Sequence, residues 1–193
     1  MKIFMMKNLY VFDFDDTIVS TGSLVRIMSP QGVPVRYLTS AEFADPACEK
    51  KISNIEIQEG YYEDFSEFDV YPPDPKLIQP IFGVFKRLSD SGKNVVVVTA
   101  RSNSKPVTEF LSDKMLSNIP VYAVGGSDPL LKCDKVKELL AEYNPKSVVL
   151  FEDSKKNINA ISLMMENFSN VSFKVIEVPH AKWLNDKRMK KIK

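Results

Sequence analysis

Apolar residues in this chain gather in five short blocks, at 8–14, 94–99, 120–124, 147–152 and 172–178, each rich in valine, isoleucine, phenylalanine or tyrosine. Blocks of this length and composition predict buried β-strands. The segments between them carry the helical period. Residues 104–116 bring Val107, Phe110, Leu111 and Met115 to one face, and Pro106 falls in the first turn, where its missing N–H is harmless. Residues 134–143 do the same with Val136, Leu139, Leu140 and Tyr143, and residues 154–165 with Ile158, Ile161 and Leu163 or Met164. A further helix is expected over 76–90. Strand and helix in regular alternation predict an α/β fold with a parallel sheet, and right-handed crossovers make it a three-layer, Rossmann-like sandwich.

Residues 20 to about 72 break the alternation. They contain a hairpin signal, Ser29-Pro30-Gln31-Gly32, between Val25-Arg26-Ile27 and Val33-Pro34-Val35, and their second half is aromatic, with Tyr61, Tyr62, Phe65, Phe68 and Tyr71. This stretch is expected to be a small insertion over one edge of the sheet within a single domain spanning 1–193. At 193 residues, 44% hydrophobic and 26% charged, the chain is long enough to bury a core and shows no sign of disorder. No apolar run approaches the roughly 18 residues of a membrane helix, so a soluble, untargeted protein without membrane contact is expected. Two cysteines, Cys48 and Cys133, make no disulfide framework, which points to a reducing cytoplasm.

Chemistry collects where the strands end. Leu9 to Phe12 run into Asp13-Phe14-Asp15-Asp16-Thr17, and period-two alternation sets Asp13 and Asp15 on one side. Two carboxylates forced together repel unless a cation lies between them, and Mg2+ is the natural oxygen-seeking occupant. The four-valine strand ends in Thr99-Ala100-Arg101, a hydroxyl followed by a guanidinium. A third strand ends in Glu152-Asp153, with Asn157 one turn into the next helix, and Lys132 and Lys135 sit near the start of another helix. Each feature alone has a plainer explanation, as a helix cap, a polar strand end or a solvated lysine. Together they supply what a phosphate ester requires: a nucleophile, an acid for the leaving group, a metal, and fixed donors for the remaining charge.

In order and spacing these residues resemble the haloacid-dehalogenase superfamily of aspartate-nucleophile phosphatases and phosphotransferases, over roughly residues 8–165. The resemblance implies a haloacid-dehalogenase-like fold with a small cap at about 20–72, and a Mg2+-dependent phosphomonoester hydrolase. By it, Asp13 attacks phosphorus and becomes an aspartyl-phosphate, and Asp15 protonates the leaving oxygen and later deprotonates water. It also implies that Asp13, the backbone carbonyl of Asp15, and Asp153 hold Mg2+, while Thr99, Ala100 and a lysine bind the phosphoryl oxygens. Lys132 is the lysine whose distance ahead of Asp153 fits better, with Asp134 read as the helix cap; Lys135 is the alternative if the helix starts at Ser127-Asp128-Pro129.

Other mechanisms lack their parts. The single histidine, His180, lies beyond the last strand, so a Ser-His-Asp or Cys-His site has no base, and neither cysteine is followed six residues on by arginine, since Asn54 and Leu139 stand there. The substrate is left as a class: a small phosphomonoester, a nucleotide or a nucleic-acid end. A phosphotransferase or polynucleotide-end phosphatase using the same aspartate is the alternative. Tyr61, Tyr62 or Phe65 is placed to stack a base, or else simply packs the insertion. Residues 180–193 sum to +5, from Lys182, Lys187, Arg188, Lys190, Lys191 and Lys193 against Asp186. That tail offers a contact for nucleic acid.

Overall fold

The structure, a computed structural model, describes residues 8–45 and 47–179. The tail reading at 180–193, with His180, lies outside the described residues. The chain opens with β1 (Asn8–Phe12) and enters the insertion through β2 (Val19–Ser20). The insertion holds β3 (Leu24–Met28), β4 (Pro34–Thr39), α1 (Ser40–Ala44), α2 (Asn54–Gln58) and β5 (Tyr62–Asp64), and it returns through β6 (Lys76–Leu77). The remainder alternates: α3 (Ile81–Asp90), β7 (Asn94–Thr99), α4 (Lys105–Asp113), β8 (Val121–Ala123), α5 (Pro129–Tyr143), β9 (Ser147–Glu152), α6 (Lys155–Met165) and β10 (Ser172–Glu177).

Five of these strands form one parallel sheet in the order β10-β9-β1-β7-β8. Period-two alternation divides its side chains between two cores. Phe12, Val95, Val97 and Phe151 face α3 and α4, meeting Phe85, Val107, Phe110 and Leu111. Leu9, Val11, Val96, Val98 and Val148 face α5 and α6, meeting Val136, Leu139, Ile161 and Met164. The result is three layers, helices on sheet on helices, compatible with a Rossmann-like fold. Phe12 stacks on Phe151 with ring centroids 4.0 Å apart and meets Phe85 edge-on at 4.9 Å. Each such fully buried large side chain contributes roughly 1.5–3 kcal/mol by leaving water.

The sequence-based expectations hold for the five strands of the parallel sheet and need correction in the neck and at several helix ends. Residues 76–90 were expected as one helix, but the helix starts at Ile81, and Lys76–Leu77 pair antiparallel with Val19–Ser20 instead. Pro80 biases Gln79 away from helical backbone, so the helix has nowhere earlier to begin. Met115, expected on the inner face of α4, is 88% exposed; the helix stops at Asp113, Met115 adopts a left-handed φ of 61°, and Leu116 takes the buried place. On α6 it is Met164, not Leu163, that turns inward.

The insertion is a three-stranded antiparallel sheet, order β4-β3-β5. The expected hairpin is present: Ser29 and Gly32 close the turn through Ser29 N–H to the Val33 carbonyl and Gly32 N–H to the Ser29 carbonyl, both 2.9 Å, with Gly32 at φ 75°. Its small core is Val25, Ile27 and Leu38, with Phe43, Cys48, Ile52, Tyr61 and Phe68 packed around them. The β2-β6 pair forms its neck. Both short helices carry capping boxes, Thr39 with Glu42 and Ser53 with Glu56.

Candidate functional site

Three strand ends and one helix start converge on a cavity of about 600 Å³ at the carboxyl edge of the sheet. Ligands in open α/β sheets bind at this edge. Asp13, Asp15, Ala100, Arg101, Lys132, Glu152, Asp153 and Asn157 line it.

Asp13 continues the series of Leu9 and Val11 toward the α5 face, and its N–H bonds the Phe151 carbonyl at 2.9 Å. The strand then ends and the backbone coils. Ile18 and Val19 return their N–H groups to the Phe14 carbonyl, and Asp16 sits at φ 59°. Simple alternation therefore does not extend to Asp15: both carboxylates line the same cavity, but they bond different groups.

Lys132 lies in the first turn of α5 and is 3% exposed. Its Nζ donates to Asp13 Oδ1 at 2.6 Å and to Glu152 Oε2 at 2.8 Å. Glu152 Oε1 in turn accepts from the Ser154 N–H and the Asn157 amide, both at 3.2 Å. Burial pulls the Lys132 ammonium down, and the Asp13 and Glu152 carboxylates more than offset this, leaving it above its ordinary value. For Asp13 burial is also the largest influence; it outweighs Lys132 and, helped by Glu152 and Asp15, pushes the carboxyl up to about 7. Asp153 is pushed up as well, by burial and then by Asp13, Glu152 and Asp16. Thr17 donates to Asp153 Oδ1 at 3.3 Å, tying the first loop to the end of β9.

Asp15 is held from the other side. Arg101 Nε donates to its Oδ2 at 2.9 Å, Arg101 Nη2 to its Oδ1 at 2.8 Å, and the Thr21 hydroxyl to Oδ1 at 2.9 Å. The third guanidinium nitrogen of Arg101 donates to the Phe68 carbonyl at 2.6 Å, and the Arg101 Cζ lies over the Phe14 and Phe68 rings, 5.4 and 5.3 Å from their centres. Arg101 thus joins the first loop to the insertion, and Ser102 repeats the connection through Asp69 Oδ1 at 2.6 Å.

Of the residues expected to bind phosphate, Ala100 and Lys132 line the cavity. Thr99 is fully buried beneath it, and its Oγ accepts the Arg101 N–H at 3.3 Å. It is not a helix cap either, because α4 begins after Ser104. Lys135, the alternative lysine, pairs with Glu138 on the helix surface. Asp134 does not cap α5; Asp128 does, accepting the Leu130 N–H at 3.0 Å, with Pro129 in the first turn. Nothing in the sequence ties Arg101 to Asp15; its one signal is that it stands two residues beyond Thr99 at the end of an apolar strand.

Asp13, Glu152 and Asp153 each offer an oxygen within 4.8 Å of the others, a spacing that suits one cation. Glu152 spends both oxygens on Lys132, Ser154 and Asn157. Asp13 and Asp153, both with raised carboxyls, are the pair whose repulsion a divalent ion would relieve.

No known protein-family model matches the chain, and no curated protein matches it. No helix among the described residues is long and apolar enough to cross a membrane.

Proposed function

We propose that this protein is a Mg2+-dependent phosphomonoester hydrolase of the haloacid-dehalogenase type, with Asp13 as nucleophile and the insertion as its cap. The observation that carries the reading is the buried Asp13-Lys132-Glu152 network at the carboxyl edge, with Asp153 beside it and Asp15 separately fixed by Arg101. A carboxylate in such a place has one oxygen occupied by a fixed cation and leaves the other, Oδ2, to form a bond.

Asp13 attacks phosphorus while the ester P–O bond breaks, and Asp15, which takes up a proton as it releases one of its two Arg101 bonds, gives that proton to the departing oxygen. Water then attacks the aspartyl-phosphate, Asp15 takes the water's proton, and inorganic phosphate leaves with Asp13 restored as a carboxylate. Lys132 and the backbone at Ala100 receive phosphoryl oxygens. Thr99 holds the turn that presents Ala100 and Arg101. Asp13, Asp153 and the Asp15 carbonyl would hold Mg2+, which when bound neutralises charge on the phosphoryl oxygens.

The test is phosphate release from a panel of phosphomonoesters. Turnover is expected with Mg2+, none in chelator, and loss of turnover or a raised Mg2+ requirement in Asp153→Ala. Full activity in chelator would overturn the metal assignment, and no turnover of any ester would overturn the reading.

A further inference from the structure

Across the cavity from the carboxylates, the wall is apolar and belongs to the insertion: Val25, Phe43, Ala44, Phe65 and Phe68 line it. The aromatic residues there have different structural duties. Phe43 and Phe68 pack against the insertion's own core. Phe65 stands outside that core among the described residues and is 41% exposed, with its ring edge-on to Phe43 at 5.2 Å. Tyr61 is taken up by the insertion core, and Tyr62 does not line the cavity. Of the aromatics singled out in the sequence as candidates to stack a base, Phe65 is therefore the one in position.

Polar groups interrupt this wall. Lys51 lines it with its Nζ 5.2 Å from the centre of the Phe43 ring, and Glu63 lines it nearby. Burial pushes the Glu63 carboxyl up against the pull of Lys51. A phosphomonoester seated at Asp13 and Lys132 must lay its organic part along this wall. Sugar or polyol hydroxyls would meet phenyl rings and lose their bonds to water. A simple aryl group would make no use of Lys51 or Glu63. A nucleobase satisfies both, with a π-face for the ring and edge donors and acceptors for the ammonium and the carboxyl.

Building on the phosphatase reading, we infer that Phe65, with Phe43 behind it and Lys51 and Glu63 at the edge, forms a base subsite, so that the substrate is a nucleotide phosphate. Its source is a free nucleoside monophosphate or the phosphorylated end of a strand, since both present the same chemistry.

The experiment compares kcat/KM for 3′- and 5′-nucleoside monophosphates, the corresponding phosphorylated dinucleotides, glycerol phosphate and a phosphotyrosine peptide. Nucleotides are expected to be preferred over glycerol phosphate, and Phe65→Ala to lower that preference about 5- to 150-fold, the range for losing one stacked base. Phe65→Tyr keeps the ring and is expected to keep the preference, which separates stacking from damage to the fold. Dinucleotides outperforming mononucleotides would assign the source to strand ends. Glycerol phosphate or the phosphotyrosine peptide as the best substrate, or an unchanged preference in Phe65→Ala, would overturn the subsite while leaving the phosphatase reading intact. If nothing is hydrolysed, nucleoside monophosphate binding measured by calorimetry on the wild-type protein decides separately. Binding weakened by Phe65→Ala supports the subsite, and no binding at millimolar nucleotide overturns it.

Discussion

The two aspartates of the first loop differ more in their partners than in their positions. Asp13 is bound to a lysine that also serves Glu152, whereas Asp15 is gripped in two places by Arg101, whose planar fork matches a carboxylate. That grip fixes the plane of Asp15, and under the proposed mechanism its effect falls on proton transfer rather than on attack. Asp15→Asn is expected to slow hydrolysis of an alkyl phosphate by about 10² to 10⁴, and that of nitrophenyl phosphate far less, because a good leaving group needs no proton. Arg101→Ala is expected to follow the same leaving-group pattern at about 10²-fold, the scale of a misplaced catalytic group, and Arg101→Lys not to restore it. Equal losses on both substrates would give Arg101 a direct role at phosphorus. The carboxylates were visible in the sequence because they follow an apolar strand. The Arg101-Asp15 pair was not, since it joins positions 86 residues apart.

Among the elements, α5 brings the buried Lys132 ammonium to the carboxylates at the strand ends. Its start lay in plain view as Asp128-Pro129, an N-cap followed by a proline whose missing N–H costs nothing. The amphipathic pattern concealed it. Leu130 is 63% exposed and Lys132, four residues ahead of Val136, is buried, so the first turn keeps the burial period of Val136, Leu139 and Leu140 but inverts the polarity placed on it. Such an inversion is expected where a helix end serves a site instead of the core. The five strands of the parallel sheet were legible because both faces of a covered parallel sheet demand apolar side chains. The neck strand Lys76–Leu77 carried no such signal: it is two residues long, and Leu77 is 37% exposed. Removing the buried ammonium should be costly. Lys132→Met leaves Asp13 and Glu152 buried without a counter-charge and is expected to lower stability by about 3–5 kcal/mol in urea unfolding, with Glu152→Gln in that background recovering part of it. A loss under about 1 kcal/mol would mean that the network is not buried as described.

For the whole molecule the same cluster sets a dependence on pH. The folded Asp13 carboxyl, raised from 3.8 to about 7, binds its proton more tightly than the unfolded chain does. Its contribution to stability is therefore fully present below the unfolded value and is lost as pH rises through the folded one. Asp153 shifts in the same direction. In chelator, the melting temperature of Asp13→Asn minus that of wild type is expected to grow more positive between about pH 4 and 7. Mg2+ is expected to raise the wild-type melting temperature more at pH 8 than at pH 5, because its ligands must be deprotonated. A difference that is flat with pH would place Asp13 outside the acidic cluster. Whether Asp13 bonds to phosphorus is read most directly by acid-quenching the protein while it releases phosphate from an ester and mapping phosphate on its peptides by mass spectrometry. One phosphoryl group is expected on Asp13, more of it in Asp15→Asn, where the second half-reaction would lack its base, and none in Asp13→Asn. Turnover without any phosphoryl group on Asp13, or retained turnover in Asp13→Asn, would contradict the nucleophile assignment.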